Sequence, residues 1–152
     1  GFGSRICTAP AENLSSWDCV SDPKKYDSPL VFRHGQQTYL VGRRNLTETG
    51  NYDLGRSDLS LKEQSTYYEA AYWVEPKRCS LWKISLERKV SFVLDLPSKG
   101  DTCFPSIRWL DKNTAEIYNY SSPVEGEDIS WVVGQKGDTY IYRSILQFPS
   151  EE

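Results

Sequence analysis

Several residue types are scarce in this chain, and each scarcity excludes a class of function. Among its 152 residues there is one histidine, His34, and no methionine. A Ser-His-Asp or Cys-His mechanism needs a histidine beside a nucleophile and an orienting acid, whereas His34 lies in a predicted hairpin turn, where we expect solvent around it. The lack of methionine leads us to expect that an initiator residue and any leader were removed or lie outside this sequence.

Charge of one sign and long apolar runs are also scarce. The formal net charge is only -3, and the basic residues are scattered rather than clustered. The sequence therefore shows no electrostatic patch for nucleic acid or for an anionic membrane. No apolar run reaches the ~20 residues that span a bilayer, and a Gly-rich phosphate loop is missing. We expect no nucleic-acid partner, no membrane partner and no cofactor.

The cysteines are few but even in number: Cys7, Cys19, Cys79 and Cys103. They lack the paired short spacings of a zinc site, so no metal site is predicted. Two disulfides are the better interpretation, although four cysteines leave three pairings open. The short separation of Cys7 and Cys19 favours that pair, which leaves Cys79 with Cys103.

Three glycosylation triplets accompany the cysteines, at Asn13, Asn45 and Asn119. Each lacks proline in the middle position and would accept a glycan in a secretory pathway. Disulfides persist in oxidising compartments. The two features together predict a secreted glycoprotein.

The chain is long enough for one domain with one core. Residues 1–25 are rich in Ser, Pro, Asp and Ala without periodicity, so we interpret them as an N-terminal arm held by a disulfide.

Residues 26–152 form the predicted β domain, because runs of strand length bounded by turn residues recur there. The runs are "PLVFRHG", "TYLVGRR", "TYYEAAYWVE", "CSLWKISL", "KVSFVLDLP", "FPSIRWLD", "TAEIYNYS", "ISWVVGQ" and "TYIYRSILQF". They predict an all-β fold, an antiparallel meander of about nine strands. The segment "DLSLKEQS" is the only helix candidate, and it is short.

A faint internal repeat lies within this meander. Placing Pro29 on Pro105, an offset of 105 − 29 = 76, aligns "SPLVFRHGQQTYLVGRRN" with "FPSIRWLDKNTAEIYNYS". Both read as proline, apolar strand, polar turn and apolar strand. This period suits short β-propeller blades with a different hairpin, beginning "STYYEAAYWVE", between them. Any hairpin protein aligns with itself loosely, so repetition and chance both remain open.

The same stretches resemble the blades of glycosidase-like β-propellers. "SPLVFRHGQQTYLVGRR" is similar to a blade in which a small or acidic residue and a proline start the inner strand. "CSLWKISLERKVSFVLDLPSKGDTCFPSIRWLDKNTAEIYNYSS" is similar to the following blades of sialidase-like and arabinanase-like enzymes. The resemblance covers residues 26–148 and implies about three blades, fewer than a closed propeller contains. It implies a segment of a larger protein, completion by a second chain or copy, or a sheet closed in another way. Since an open meander exposes strand edges, we expect a partner chain or a homo-oligomer.

The resemblance also implies where catalytic acids would lie, because in those enzymes acids start the inner strands. By this match Asp27 is a candidate base or stabilising acid, and Asp101 is the next candidate. Glu69 is a candidate general acid, since burial among aromatic side chains would raise its pKa. Glycoside hydrolysis requires such paired carboxylates. The alternative is that Asp27 and Asp101 cap turns and that Glu69 points to water.

Two pairs of residues are candidate ligand contacts. Arg43 and Arg44 are neighbours on one strand, so their side chains point to opposite faces of the sheet. One would pair with an acid or face outward, and the other could hold a ligand carboxylate such as that of an acidic sugar. Ordinary salt bridging is the alternative. Tyr118 and Tyr120 have a spacing of two and share a face, which suits sugar stacking or packing between blades.

These observations predict a secreted domain that recognises carbohydrate or another small polar ligand and that can be part of a glycoside hydrolase. A non-catalytic, lectin-like module and a structural extracellular protein that forms oligomers are the alternatives. The sequence leaves open whether the chain is an enzyme.

Overall fold

The computed structural model describes residues 1–150, and this part of the chain is mostly β-structure. Nine antiparallel strands form three sheets, and two helices lie in the connections between strands. The strands are β1 (Ser4–Thr8), β2 (Asp18–Asp22), β3 (Leu30–His34), β4 (Gln37–Asn45), β5 (Lys77–Ile84), β6 (Val90–Leu96), β7 (Thr102–Trp109), β8 (Thr114–Ser121) and β9 (Tyr140–Gln147). The helices are α1 (Leu61–Val74) and α2 (Trp131–Gly134).

Each sheet is a meander in which a strand pairs with the next strand along the chain. A β1–β2 hairpin comes first, followed by a four-stranded sheet in the order β3-β4-β5-β6 and a three-stranded sheet in the order β7-β8-β9. The coarser prediction, a mostly β chain of antiparallel strands in sequence order, is confirmed. Within the predicted N-terminal arm, residues 4–8 and 18–22 pair as the β1–β2 hairpin.

The run "TYYEAAYWVE" was predicted as a strand, and this is wrong because the run lies mostly within α1. Ser60 caps the helix with a reciprocal pair of hydrogen bonds: its backbone N–H donates to the Glu63 carboxylate at 2.9 Å, and its hydroxyl accepts from the Glu63 N–H. Tyr68 and Tyr72, one turn apart, face inward and are buried. The helix ends before Pro76, since the residue preceding a proline disfavours helical backbone.

The run "ISWVVGQ" is also wrong as a strand, because it contains the short helix α2. Ser130 caps this helix by accepting a hydrogen bond from the Val133 N–H at 3.4 Å. The hairpin predicted between the two repeats is not a separate unit, because its first run lies in α1. Its strands β5 and β6 instead continue the first large sheet beside β4.

The repeated stretches occupy equivalent places in the two larger sheets. The hairpins β3–β4 and β7–β8 each open a sheet, and in each sheet the next connection contains a helix before the third strand begins. The two hairpins differ at the start of β7, where the register shifts between Cys103 and Ser106. Cys103 and Phe104 there have positive φ angles of 131° and 56°, which is strained for side chains of this size.

The main core lies between the facing sides of the two larger sheets. Its buried members are Tyr39, Val41, Cys79, Leu81, Leu96, Cys103, Ala115, Ile117 and Phe148. The disulfide between Cys79 and Cys103 joins β5 to β7 inside this core, and the second disulfide joins β1 to β2. Both pairings are those predicted.

A second hydrophobic cluster lies outside the main core. Tyr26, Leu40 and Trp82 pack on the far side of the four-stranded sheet, under the β1–β2 hairpin. His34 is not surrounded by solvent as predicted, because its ring stacks on Trp109 and on Phe148 at centroid distances of 5.7 Å and 4.9 Å. Neither α1 nor α2 has the length and apolar character to cross a membrane.

Candidate functional site

The starts of β3 and β7 lie at one end of the core, and their acids belong to one group of polar side chains. Asp27 precedes β3 and Asp101 precedes β7, and Arg43 near the end of β4 connects them. We call this group the strand-start cluster. Its members are Lys25, Asp27, Arg43, Glu69, Tyr72, Asp101 and Tyr120.

Arg43 is the buried centre of the strand-start cluster and is only 6% exposed. Its Nε donates to the carbonyl of Thr102 at 2.7 Å. Its Nη1 donates to Asp27 Oδ2 at 3.4 Å, and its Nη2 donates to the Tyr120 hydroxyl at 3.3 Å. The guanidinium also lies 5.3 Å from the centre of the Trp131 ring. Every nitrogen of Arg43 therefore has a partner within the protein.

Asp101 is linked to Arg43 through a tyrosine. The Tyr120 hydroxyl donates to Asp101 Oδ1 at 2.8 Å, and the indole N–H of Trp131 donates to the same oxygen at 2.8 Å. The backbone N–H of Asp101 donates to the Ser122 hydroxyl at 3.2 Å. The carboxylate is thus held in one orientation by two neutral donors, at a position that is half-buried.

Asp27 and Glu69 share a lysine. Lys25 Nζ lies 3.7 Å from Asp27 Oδ2 and 3.3 Å from Glu69 Oε2. The Tyr72 hydroxyl also donates to Asp27 Oδ2, at 2.9 Å. The side chains of Lys25, Asp27 and Glu69 are 29%, 27% and 39% exposed, so solvent reaches the cluster at these three residues.

Glu69 is brought to the cluster by α1 rather than by a strand. Burial alone would raise the pKa of Glu69, but hydrogen bonds from the Tyr52 hydroxyl at 2.5 Å and the Trp73 indole at 2.8 Å, together with Lys25, lower it. The predicted raised pKa is therefore wrong. An ionised carboxylate accepts hydrogen bonds and does not serve as a general acid.

A buried lysine, Lys77, contacts the strand-start cluster at Tyr72 and was not among the predicted site residues. Lys77 is fully buried, and its Nζ donates to the carbonyls of Tyr72 and Glu75 at the end of α1 and to Asn45 Oδ1. A cation at this end of a helix is favourable. Desolvation lowers the pKa of Lys77 to about 7.

Two of the four predicted ligand contacts lie outside the strand-start cluster. Arg44 points to the opposite face of the sheet from Arg43 and makes a bidentate pair with Asp95 at 3.0 Å and 2.7 Å, which is the alternation expected for neighbours on a strand. The hydroxyl of Tyr118 donates to Glu116. Tyr118 and Tyr120 line one shallow pocket of about 330 Å³.

The three glycosylation triplets differ in exposure. Asn13 is exposed in the turn between β1 and β2. Asn45 and Asn119 are only 6% and 1% exposed, and Asn45 accepts a hydrogen bond from Lys77. A glycan needs its asparagine at the surface, so the folded chain has room for one on Asn13 and not on the other two.

Two tryptophans at the cluster were not predicted as site residues. Trp73 is four residues after Glu69 on α1, and Trp131 begins α2. The capping signature Ser60-x-x-Glu63 would have indicated a helix, and helical spacing would then have placed Trp73 above Glu69. No sequence signal connects Trp131 to Asp101, 30 residues away.

Residues 1–150 contain no group of three or more His, Cys, Asp or Glu side chains arranged to hold a metal ion. Comparison of the chain with protein-family models, with curated proteins and with solved structures gives no match.

Proposed function

We propose that this chain is a secreted, carbohydrate-recognising β domain and that the strand-start cluster binds its ligand. The observation that supports this most is convergence: Asp27 and Asp101, 74 residues apart (101 − 27), meet around Arg43 at corresponding ends of two sheets. Binding sites in repeated β-folds are built in this way, from side chains that distant strands bring together.

The chemistry of the cluster suits hydroxyl groups. Its solvent-facing side chains are two carboxylates, Asp27 and Glu69, and one ammonium group, Lys25. Sugar hydroxyls donate to carboxylates and accept from ammonium groups, while the apolar face of a sugar ring packs on aromatic side chains. The side chains of Tyr72, Trp73 and Trp131 surround these polar atoms.

The proposal includes a propeller-like arrangement of which the chain supplies a part. The β1–β2 hairpin, the four-stranded sheet and the three-stranded sheet follow one another along the chain, and the outer face of the last sheet exposes Phe104 and Ile141, each by 72%. Further sheets, from the same polypeptide or from a second copy, would cover such a face. The two disulfides support secretion, because they persist in oxidising compartments.

Binding without turnover is the form of this function that the charges favour. Each carboxylate of the cluster is paired or hydrogen-bonded, and the lowered pKa of Glu69 does not suit a proton donor. A glycoside hydrolase remains the second candidate, because Asp27 and Asp101 both start strands at one site. In that case the proton donor would be Asp27, Asp101 or a residue outside this chain.

A glycan array tests the binding function. We expect the wild-type chain to retain at least one glycan, and Asp101→Ala to lose that retention because it removes the oxygen that accepts from both Tyr120 and Trp131. Asp95→Ala is the matched control, since Asp95 pairs with Arg44 on the opposite face of the sheet. Absence of any retained glycan on the wild type, or equal loss in both variants, would contradict the proposal.

Chromogenic glycosides decide between binding and hydrolysis. A binding domain gives no release above a buffer blank for any of them. Release that disappears in Asp27→Asn and persists in Asp95→Asn would establish the hydrolase instead.

A further inference from the structure

Two indole rings stand over the acids of the strand-start cluster, and each is fixed by one of those acids. The Trp73 indole N–H donates to Glu69 Oε1, and the Trp131 indole N–H donates to Asp101 Oδ1, both at 2.8 Å. The ring centroids are 6.0 Å apart with an angle of 58° between the planes. The rings therefore contact each other as a tilted pair rather than as a parallel stack, and we call them the indole pair.

These indoles are held in place before any ligand arrives. Trp131 packs on the Arg43 guanidinium and lies 6.3 Å from the Tyr72 ring. Trp73 is held at its N–H by Glu69 and remains 45% exposed, so much of its ring is open to solvent. A rigid aromatic face loses little entropy on binding, which is what makes such faces effective contact surfaces.

The charges around the indole pair restrict which class of sugar can bind there. An acidic sugar would need a free guanidinium, but Arg43 directs all its nitrogens to Thr102, Asp27 and Tyr120. The solvent-facing carboxylates of Asp27 and Glu69 would repel a ligand carboxylate, and Lys25 is already shared between them. The hydrogen-bonding capacity that remains is mainly that of acceptors, which suits hydroxyl donors.

We propose that Trp73 and Trp131 form the stacking surface for a neutral sugar ring whose hydroxyl groups donate to Asp27 and Glu69. This inference rests on the carbohydrate-binding function proposed above and specifies its ligand class and its contact residues. Trp73 supplies the exposed face, and Trp131 packs against Trp73 and keeps Asp101 in position.

Calorimetric titration with a neutral glycan retained on the array, alongside its uronic-acid counterpart, tests this inference. We expect Trp73→Ala to weaken binding of the neutral glycan about five- to tenfold, because the stacking face is lost. Trp73→Phe retains a ring and should weaken binding less. Trp17→Ala is the matched control, since Trp17 is 60% exposed on the β1–β2 hairpin, and it should bind as the wild type does.

The outcomes separate the two proposals. If the array retains neutral glycans and Asp101→Ala abolishes this retention, but Trp73→Ala binds as tightly as the wild type, the stacking surface is wrong and the binding function stands. Preferential binding of the uronic acid would overturn the neutral class alone. If the wild type retains no glycan, both proposals fail. Circular dichroism of each variant checks that α1 is intact, so that a lost helix is not taken for a lost contact.

Discussion

Within residues 1–150, two clusters combine carboxylates, arginines and tyrosines. The arginine is buried in one of them, and the carboxylate is buried in the other. In the strand-start cluster Arg43 is buried, with a side chain 7% exposed, and Asp27 is 27% exposed. In the second cluster, on the outer face of the three-stranded sheet, Glu116 is 4% exposed, while Arg108 and Arg143 are 66% and 58% exposed. The same residue types thus present carboxylates to solvent in one place and guanidinium groups in the other.

The difference shows what each cluster can do. A buried guanidinium whose nitrogens all have partners within the protein is a scaffold, and the partly exposed carboxylates of Asp27 and Glu69 can still accept hydrogen bonds from hydroxyl groups. In the second cluster the carboxylate is the scaffold: burial would raise the pKa of Glu116, but hydrogen bonds from Tyr118 and Arg108 and the charges of the two arginines lower it. A sugar that donates hydrogen bonds would therefore bind at the first cluster.

Replacing Asp27 in the strand-start cluster and Glu116 in the second cluster should give the largest difference in the free energy of unfolding. Asp27→Ala leaves Arg43 as a buried cation without a carboxylate, so we expect a loss of about 3–5 kcal/mol in the free energy of unfolding. Glu116→Ala leaves two arginines that water already solvates, so its loss should be much smaller. Urea titration of the two variants measures both. Equal losses would show that the exposures do not govern the energetics.

The pH dependence of the free energy of unfolding should give the second largest difference, because only the strand-start cluster contacts a buried lysine, Lys77. The folded pKa of Lys77 is about 7 and its unfolded value is 10.5, so between these values the folded chain binds fewer protons than the unfolded chain. The free energy of unfolding should therefore rise by about 1 kcal/mol per pH unit between roughly pH 7.5 and 9.5. Lys77→Met should flatten this profile, and a wild-type profile that is already flat would contradict the assignment.

Above pH 10 the trend should reverse. Burial, with the neighbouring acids, raises the pKa of Tyr26, Tyr52 and Tyr72, so these hydroxyls keep their protons in the folded chain after the unfolded chain has lost them. Stability then falls as the pH rises.

Removing one tyrosine hydroxyl from each cluster should have a smaller effect on the free energy of unfolding. Tyr120→Phe removes the hydroxyl that joins Arg43 to Asp101, and we expect it to cost about 1–2 kcal/mol. Tyr118→Phe removes one of several hydrogen bonds to Glu116 and should cost less. Thermal unfolding of both variants at one pH gives the order, and the reverse order would place the more important hydroxyl in the second cluster.

Salt should produce the smallest effect. The exposed arginines of the second cluster are screened, so the destabilisation caused by Arg108→Ala should disappear between about 0.05 and 0.5 M NaCl. The destabilisation caused by Asp27→Ala should change little, because Arg43 is out of reach of ions. Urea titrations at both salt concentrations test this, and a salt-sensitive Asp27→Ala would mean that Arg43 is solvated.

Most strands of the two large sheets could be predicted, because their signals are local. β3, β4, β7 and β8 each combine β-branched or aromatic runs with turn residues at both ends, and the offset of 76 residues aligns their hairpins. The helix candidate "DLSLKEQS" contains the start of α1, but the rest of the helix was missed because its tyrosines and tryptophan suggested a strand by composition. Its capping box and the spacing of Tyr68 from Tyr72 are the helical signals that composition obscured.

The candidate site was predicted in part, for a different reason. Asp27, Asp101, Arg43 and Tyr120 lie at ends of strands, and neighbouring strands bring such ends together. The contributions of Trp131 and Lys77 depend on how the connections fold back over the sheets, and residue type does not reveal this. Which charged groups of the cluster are buried and which face solvent was also not predictable. Burial makes Arg43 a scaffold and lowers the pKa of Lys77.

The location of ligand binding is tested most directly by the indole N–H resonances of the five tryptophans during titration with a neutral glycan. The account predicts that the signals of Trp73 and Trp131 shift progressively and saturate together, while those of Trp17, Trp82 and Trp109 stay in place. A saturating shift confined to Trp17, Trp82 or Trp109 would contradict it, because the ligand would then bind away from Asp27 and Asp101.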